Sequence, residues 1–143
     1  MRNCFLFMLM ALTLALLSAC AGIRNAPRNI MGFGYADLIQ LKSSGKIKEV
    51  PLSKADAFNK VIALLNEKAK LDRKKGEGED KLKVFMSDLN DGYIVIMGLP
   101  KQTPTTRVGI FFDSKDNSTT TVTLSSDSST ALTKAETLIF TSL

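Results

Sequence analysis

Residues 81–97 read KLKVFMSDLNDGYIVIM. Leu82, Val84 and Met86 alternate with Lys81, Lys83 and Phe85, a period of two that predicts a half-buried strand. Asn90-Asp91-Gly92 separates this run from the next, and Asp-Gly between two apolar runs predicts a hairpin. The second run, residues 93–97, is apolar at every position. It is expected inside a sheet, with a helix over at least one of its faces. Residues 99–106 hold Pro100 and Pro104 and suit a loop. Residues 107–113 (RVGIFFD) and 119–125 (TTTVTLS) then read as a third and a fourth strand, joined by a turn at 114–118. On the last strand Val122 and Leu124 are expected to face the core, with Thr119, Thr121 and Thr123 toward solvent.

Outward from these strands the period changes. Phe58, Ile62, Leu65 and Ala69 recur at steps of three and four, and Val61 and Leu64 widen the stripe. This predicts an amphipathic helix over 54–71 with its apolar face in the core. Ser53 stands at the N-cap position with Asp56 three residues on, a weak capping box. Residues 72–81 (DRKKGEGEDK) read as a solvated charged loop. Residues 46–52 (KIKEVPL) predict a short strand with Pro51 near its end, and Ser43-Ser44-Gly45 a turn before it. Residues 35–42 (YADLIQLK) fit a turn of helix or a strand equally well. At the C-terminal end Leu132, Ala135, Leu138 and Ile139 share a helical face, with Asp127, Ser128 and Ser129 as competing N-caps. Strand, helix, four strands and helix make an α+β domain over 35–143. Its expected architecture is a small antiparallel sheet of four to five strands, one long helix and a C-terminal helix, with one sheet face covered.

Upstream, Met1-Arg2-Asn3-Cys4 precedes an apolar run over 5–17 that closes on Leu17-Ser18-Ala19-Cys20. One positive charge, a short apolar stretch and small residues form an export signal. The run is well short of the ~20 residues needed to span a bilayer. Leu17-Ser18-Ala19-Cys20 resembles the lipobox of bacterial lipoproteins, a likeness confined to residues 1–22. It implies a signal peptide over 1–19, cut between Ala19 and Cys20. It further implies a diacylglycerol on the Cys20 sulfur and a fatty acyl group such as palmitate on the new amine. Cys20 is then an anchor, and two or three chains give stable attachment. Ala21 in place of Asp after the Cys implies the outer membrane, lipid-anchored on the periplasmic side. The same residues also fit an A-x-A site, Ala19-Cys20-Ala21, that releases a soluble product, or an uncleaved anchor. Residues 20–34 read as a lipidated tether, aperiodic and holding Pro27, Gly32 and Gly34. Arg24 and Arg28 in it are either lipid head-group contacts or ordinary linker charge. The order and length of the elements over 35–143 are similar to small helix-over-sheet modules of envelope lipoproteins, without a diagnostic motif.

Composition narrows the chemistry. The 143 residues include no His and two Cys. Ser-His-Asp and Cys-His nucleophilic arrangements are thereby excluded, and a Cys₄ zinc site cannot be built. The net charge is +5, with 14 basic against 8 acidic residues over 20–83 and 4 against 6 over 84–143. A basic half next to an anchor favours anionic head groups and falls far short of a nucleic-acid footprint. Ser43-x-x-Lys46 matches a Ser-Lys pattern without its partner motifs. Asp113, Asp116 and Asn117 offer oxygens in one turn but lack a calcium loop, and Asp88 and Asp91 flank the hairpin. Twelve of the twenty residues over 114–133 are Ser or Thr, either a glycan- or peptidoglycan-binding surface or the wet face of an edge hairpin. The expected function is therefore that of an envelope lipoprotein acting as a non-catalytic binding or structural module, with no cofactor and no metal. Its expected partners are the membrane, through Cys20, and another envelope protein that adds a strand to a sheet edge or docks on the open sheet face. The alternative is a carrier of a small apolar ligand lined by Phe85, Tyr93, Phe111 and Phe112.

Overall fold

Buried strand amides need backbone partners, and the inner strands find them on both sides in one sheet. The computed structural model describes residues 35–74 and 81–143, and one compact unit runs from Ala36 to Leu143. The signal peptide expected over 1–19, with Ala19 and Cys20 at its cleavage site, and the tether expected over 20–34 lie outside the described residues. The elements are α1 (Tyr35–Gln40), a 3-10 turn (Leu41–Ser44), β1 (Lys46–Val50), α2 (Lys54–Lys74), β2 (Lys83–Asp88), β3 (Tyr93–Met97), β4 (Arg107–Ser114), β5 (Thr120–Ser125) and α3 (Ser129–Phe140). The five strands stand in the order β1-β5-β4-β3-β2, all antiparallel. The fold is the expected α+β. Residues 35–42, which admitted two readings, are helical.

The register puts Ile94, Ile110 and Leu124 in one cross-strand row, and Ile96 beside Val108. These residues, with Phe112 and Val122, form the sheet's contribution to the core. Ala57, Phe58, Val61 and Leu65 of α2 and Ala131, Ala135 and Ile139 of α3 complete it. Phe58 meets Phe112 edge-on, with ring centroids 5.5 Å apart. Burying each such large side chain stabilises the fold by about 1.5–3 kcal/mol. Ser53 caps α2 as expected: its hydroxyl accepts from the Asp56 amide (3.2 Å) and donates to the Asp56 carboxylate (2.6 Å). Among the three candidate caps for α3, Ser128 is used. Its hydroxyl accepts from the Ala131 amide (3.2 Å) and donates to Gln102 of the β3–β4 loop (3.1 Å).

Four expectations are corrected. First, α2 continues to Lys74, three residues past the expected end at Leu71. Asp72 is buried there, 3.6 Å from Lys68 one turn earlier. Second, the Leu82-Val84-Met86 stripe does not stay on one face. A bulge between Val84 and Met86 sets Val84 opposite Ile96 but Met86 opposite Val95. A residue inserted into one strand of a ladder flips everything after it. Third, β5 is not part of an edge hairpin but lies between β1 and β4. Fourth, the second face of the sheet is not wet. Tyr93, Val95, Met97, Phe111, Thr123 and Ser125 are all buried on it. Leu38 of α1 is also buried, and its carbonyl accepts the Ser125 hydroxyl (2.8 Å). Lys42 of the 3-10 turn lies over the Phe111 ring and pairs with Asp113 at 2.6 Å. A Thr-rich strand reads as amphipathic only if nothing lies over its hydroxyl side.

Both edges of the sheet resist pairing. On β1, Lys46 and Lys48 point to the helical side, and Pro51 follows the strand. Lys48 donates to the Phe140 carbonyl at the end of α3, where a cation complements the helix dipole. On β2 the bulge breaks the ladder. Inward-pointing charge, proline and bulges are the features that keep an edge strand from recruiting another.

Candidate functional site

The four aromatic side chains proposed to line a ligand cavity are divided by the sheet. Phe112 sits in the helical-side core against Phe58. Tyr93 and Phe111 are direct cross-strand partners on the opposite face. Phe85 lies at the bulge of the edge strand, 37% exposed. Tyr93 and Phe111 are therefore brought together, and the other two are not. Gly109 makes room for the Phe111 ring, since a Cβ on it would lie 2.8 Å from the ring edge.

Part of the Ser/Thr tract is engaged within the fold. Thr120 donates to the Leu52 carbonyl (2.8 Å), Ser125 to Leu38, Ser126 to the Arg107 carbonyl (2.6 Å) and Thr133 to the Ser129 carbonyl (3.1 Å). A hydroxyl whose hydrogen points at a backbone oxygen has one donor fewer for a glycan. The Ser43-x-x-Lys46 pair does not assemble. Ser43 donates to the Gln40 carbonyl (3.5 Å), and Lys46 faces Glu136 at 3.6 Å.

The turn acids likewise bond within their own turns. Asp88 accepts from the Asn90 and Asp91 amides (2.9 and 3.1 Å) and so shapes the hairpin. Asp116 accepts from the Ser118 amide (2.7 Å) and hydroxyl (3.0 Å), and those bonds hold its carboxyl below the usual carboxylate range. Lys115 meets both oxygens of Glu49 at 2.9 Å, and that hydrogen-bonded charge raises the Lys115 ammonium above the usual lysine range. Among the described residues no three potential metal ligands come together.

Among the described residues, two concave surfaces lie in the helical layer. One groove, about 430 Å³, is bounded by Lys68 of α2, by Leu99 and Pro100 of the β3–β4 loop, and by Thr133, Lys134, Thr137 and Leu138 of α3. A smaller one, about 240 Å³, lies between α2 and the chain end, with Lys60 and Glu67 at its rim and Leu64 and Leu143 within. Sequence periodicity placed Leu138 in the core stripe. It is only half-buried, because α3 seats Ala135 and Ile139 against the sheet and leaves Leu138 at the flank. No sequence signal joins the groove residues, since they come from three separate elements. No protein-family model, curated protein or solved structure matches the chain.

Proposed function

We propose that the protein is a lipid-anchored envelope module on the periplasmic side of the outer membrane, acting by binding rather than catalysis. The observation that carries this reading is the lipobox-like Leu17-Ser18-Ala19-Cys20, with the folded unit beginning sixteen positions after Cys20. Acyl chains on Cys20 confine the domain to a surface and raise its effective concentration near other envelope components. The non-catalytic reading draws support from the side chains that might have done chemistry. Ser43, Lys46, Asp88 and Asp116 each make contacts that serve a turn or a strand-to-helix bridge. Inward-pointing lysines and Pro51 at β1 and the bulge in β2 disfavour strand addition at these edges, and among the described residues the helical layer offers grooves for a partner.

The test is intact mass of the membrane-extracted chain, with Cys20→Ala as control, after inner and outer membranes are separated. A species starting at Cys20 with added acyl mass, found in the outer membrane and lost in the control, is the expected result. An unmodified chain in the soluble fraction overturns the anchor. Acylated protein in the inner membrane overturns the sorting.

A further inference from the structure

Charge is distributed differently in space than along the chain. The register sets Lys46 of β1, Ser125 of β5, Arg107 of β4 and Lys83 of β2 at one end of the sheet. The end of α2, the β3–β4 loop and the start of α3 connect to those strand ends and gather at the same place. Residues 46, 68–74, 81–83, 97–107 and 125–136, taken together with α1, include ten basic and four acidic side chains. Residues 75–80 (KGEGED) add one basic and three acidic groups, and counting all of them here still leaves eleven against seven. The rest of 35–143 holds five basic against seven acidic. Lys101, Arg107 and Lys134 reach this end from the half of the sequence that is acidic overall. Glu49 and Asp56, from the basic half, lie at the opposite end beside the β4–β5 turn and the first turn of α2.

The two ends also differ in how their cations are used. At the acidic end Lys115 is paired with Glu49 and Lys42 with Asp113. At the basic end Lys70, Lys81, Lys83 and Lys101 are exposed, and among the described residues no carboxylate pairs with them. Leu71, beside Lys70, is 47% exposed. The chain also joins the domain at this end: the Leu38 carbonyl of α1 accepts the Ser125 hydroxyl at 2.8 Å. Whatever precedes α1 is therefore covalently continuous with the basic end.

We infer that the basic end is the surface this domain turns toward an anionic phospholipid leaflet, with Lys70, Lys81, Lys83 and Lys101 at the head-group phosphates and Leu71 at their boundary with the acyl region. The inference rests on the anchor at Cys20, because acyl chains hold the domain close enough for a modest net charge to set its orientation. Lysines near an anionic leaflet are attracted to it, and the acidic end is repelled. The domain accordingly stands with α1, the end of α2 and the β3–β4 loop toward the lipid, and with the β2–β3 and β4–β5 turns away from it.

The experiment places the acylated full chain on vesicles of phosphatidylethanolamine with phosphatidylglycerol, and in parallel on phosphatidylcholine vesicles. A water-soluble acetylating reagent is applied briefly, and modified lysines are mapped by mass. On the anionic vesicles the reactivity of Lys70, Lys81, Lys83 and Lys101 is expected to fall at least about threefold relative to phosphatidylcholine. Lys60 and Lys115 should react equally on both. Lys81→Glu with Lys83→Glu and Lys101→Glu is expected to abolish the protection of Lys70, whereas arginine at the same three positions should retain it. Equal reactivity of the four lysines on both vesicles, with the chain attached, overturns the orientation and leaves the anchor standing. Equal protection of Lys60 and Lys115 overturns the assignment to this end. Undiminished protection of Lys70 in the Glu variant overturns the role of charge. Protection in native membranes that is absent on vesicles of their extracted lipids assigns the basic end to an acidic protein and overturns the lipid. A chain that stays in solution and has no acyl mass overturns the anchor, and the orientation with it.

Discussion

Replacing Gly98 with Ala tests how β3 is seated against the start of β2. Gly98 follows β3 with φ +73°, a left-handed conformation that costs an L residue about 1–2 kcal/mol. The added Cβ would also lie 2.1 Å from the Lys81 carbonyl oxygen and 2.6 Å from its carbon. Carbon–oxygen contacts normally sit at roughly 3.3–3.6 Å, so the two backbone segments must separate by more than an ångström. Neither can yield by changing rotamer, because both are main chain, and Leu82 next to Lys81 is buried in the core. Such overpacking costs about 1–3 kcal/mol. Reduced freedom of the unfolded chain returns about 0.4–1 kcal/mol. The net loss is about 1–4.5 kcal/mol, which for a domain of this size lowers Tm by about 4 °C or more. Thermal unfolding followed by circular dichroism reads it. Lys101→Gly is the companion variant. Lys101 holds φ +58° in the same loop, so glycine relieves strain there, and Tm is expected to hold or rise. A Gly98→Ala midpoint within about 4 °C of the parent would refute the reasoning, since that is under about 1 kcal/mol.

Two further outcomes follow from the described contacts. Phe112→Ala is expected to cost about 3–5 kcal/mol in urea unfolding, because it empties the core against Phe58, while Phe85→Ala at the bulge costs about 1 kcal/mol or less; equal losses would contradict their placement. Asp116 should titrate below the ordinary aspartate value of about 3.9 in a carboxyl NMR titration. Its folded value is the lower one, so its contribution to stability is present above the unfolded value and is lost as pH falls through the folded one. Ser118→Ala removes the hydroxyl bond but keeps the amide bond, so the Asp116 midpoint should rise part of the way. An unchanged midpoint would show that the hydroxyl contributes nothing.

The residues that decided local structure were readable because their partners are near in the chain. The three- and four-residue steps of Phe58, Val61 and Leu65 set the buried face of α2, and Ser53 found its capping partner three residues on. The hairpin at Asp88 to Gly92 closes through bonds spanning two and three residues. The α+β class follows from such periods alone. Other features rest on contacts between distant residues, which no period records. Ser125 reaches Leu38 across 87 positions, Thr120 reaches Leu52 across 68, and Lys42 reaches Asp113 across 71. Those contacts turned a wet Thr face into a buried one and placed β5 inside the sheet. The bulge at Phe85 belongs with them, because nothing in an alternating run says where one extra residue enters the ladder. The candidate sites divide the same way. Cys20 was legible as a contiguous motif, and it remains a reading of sequence alone. The groove between Lys68, Leu99 and Leu138 exists only because α2, the β3–β4 loop and α3 converge over the sheet. Short-range periodicity carries the identity of each element, and long-range packing alone determines which surfaces are left for a ligand.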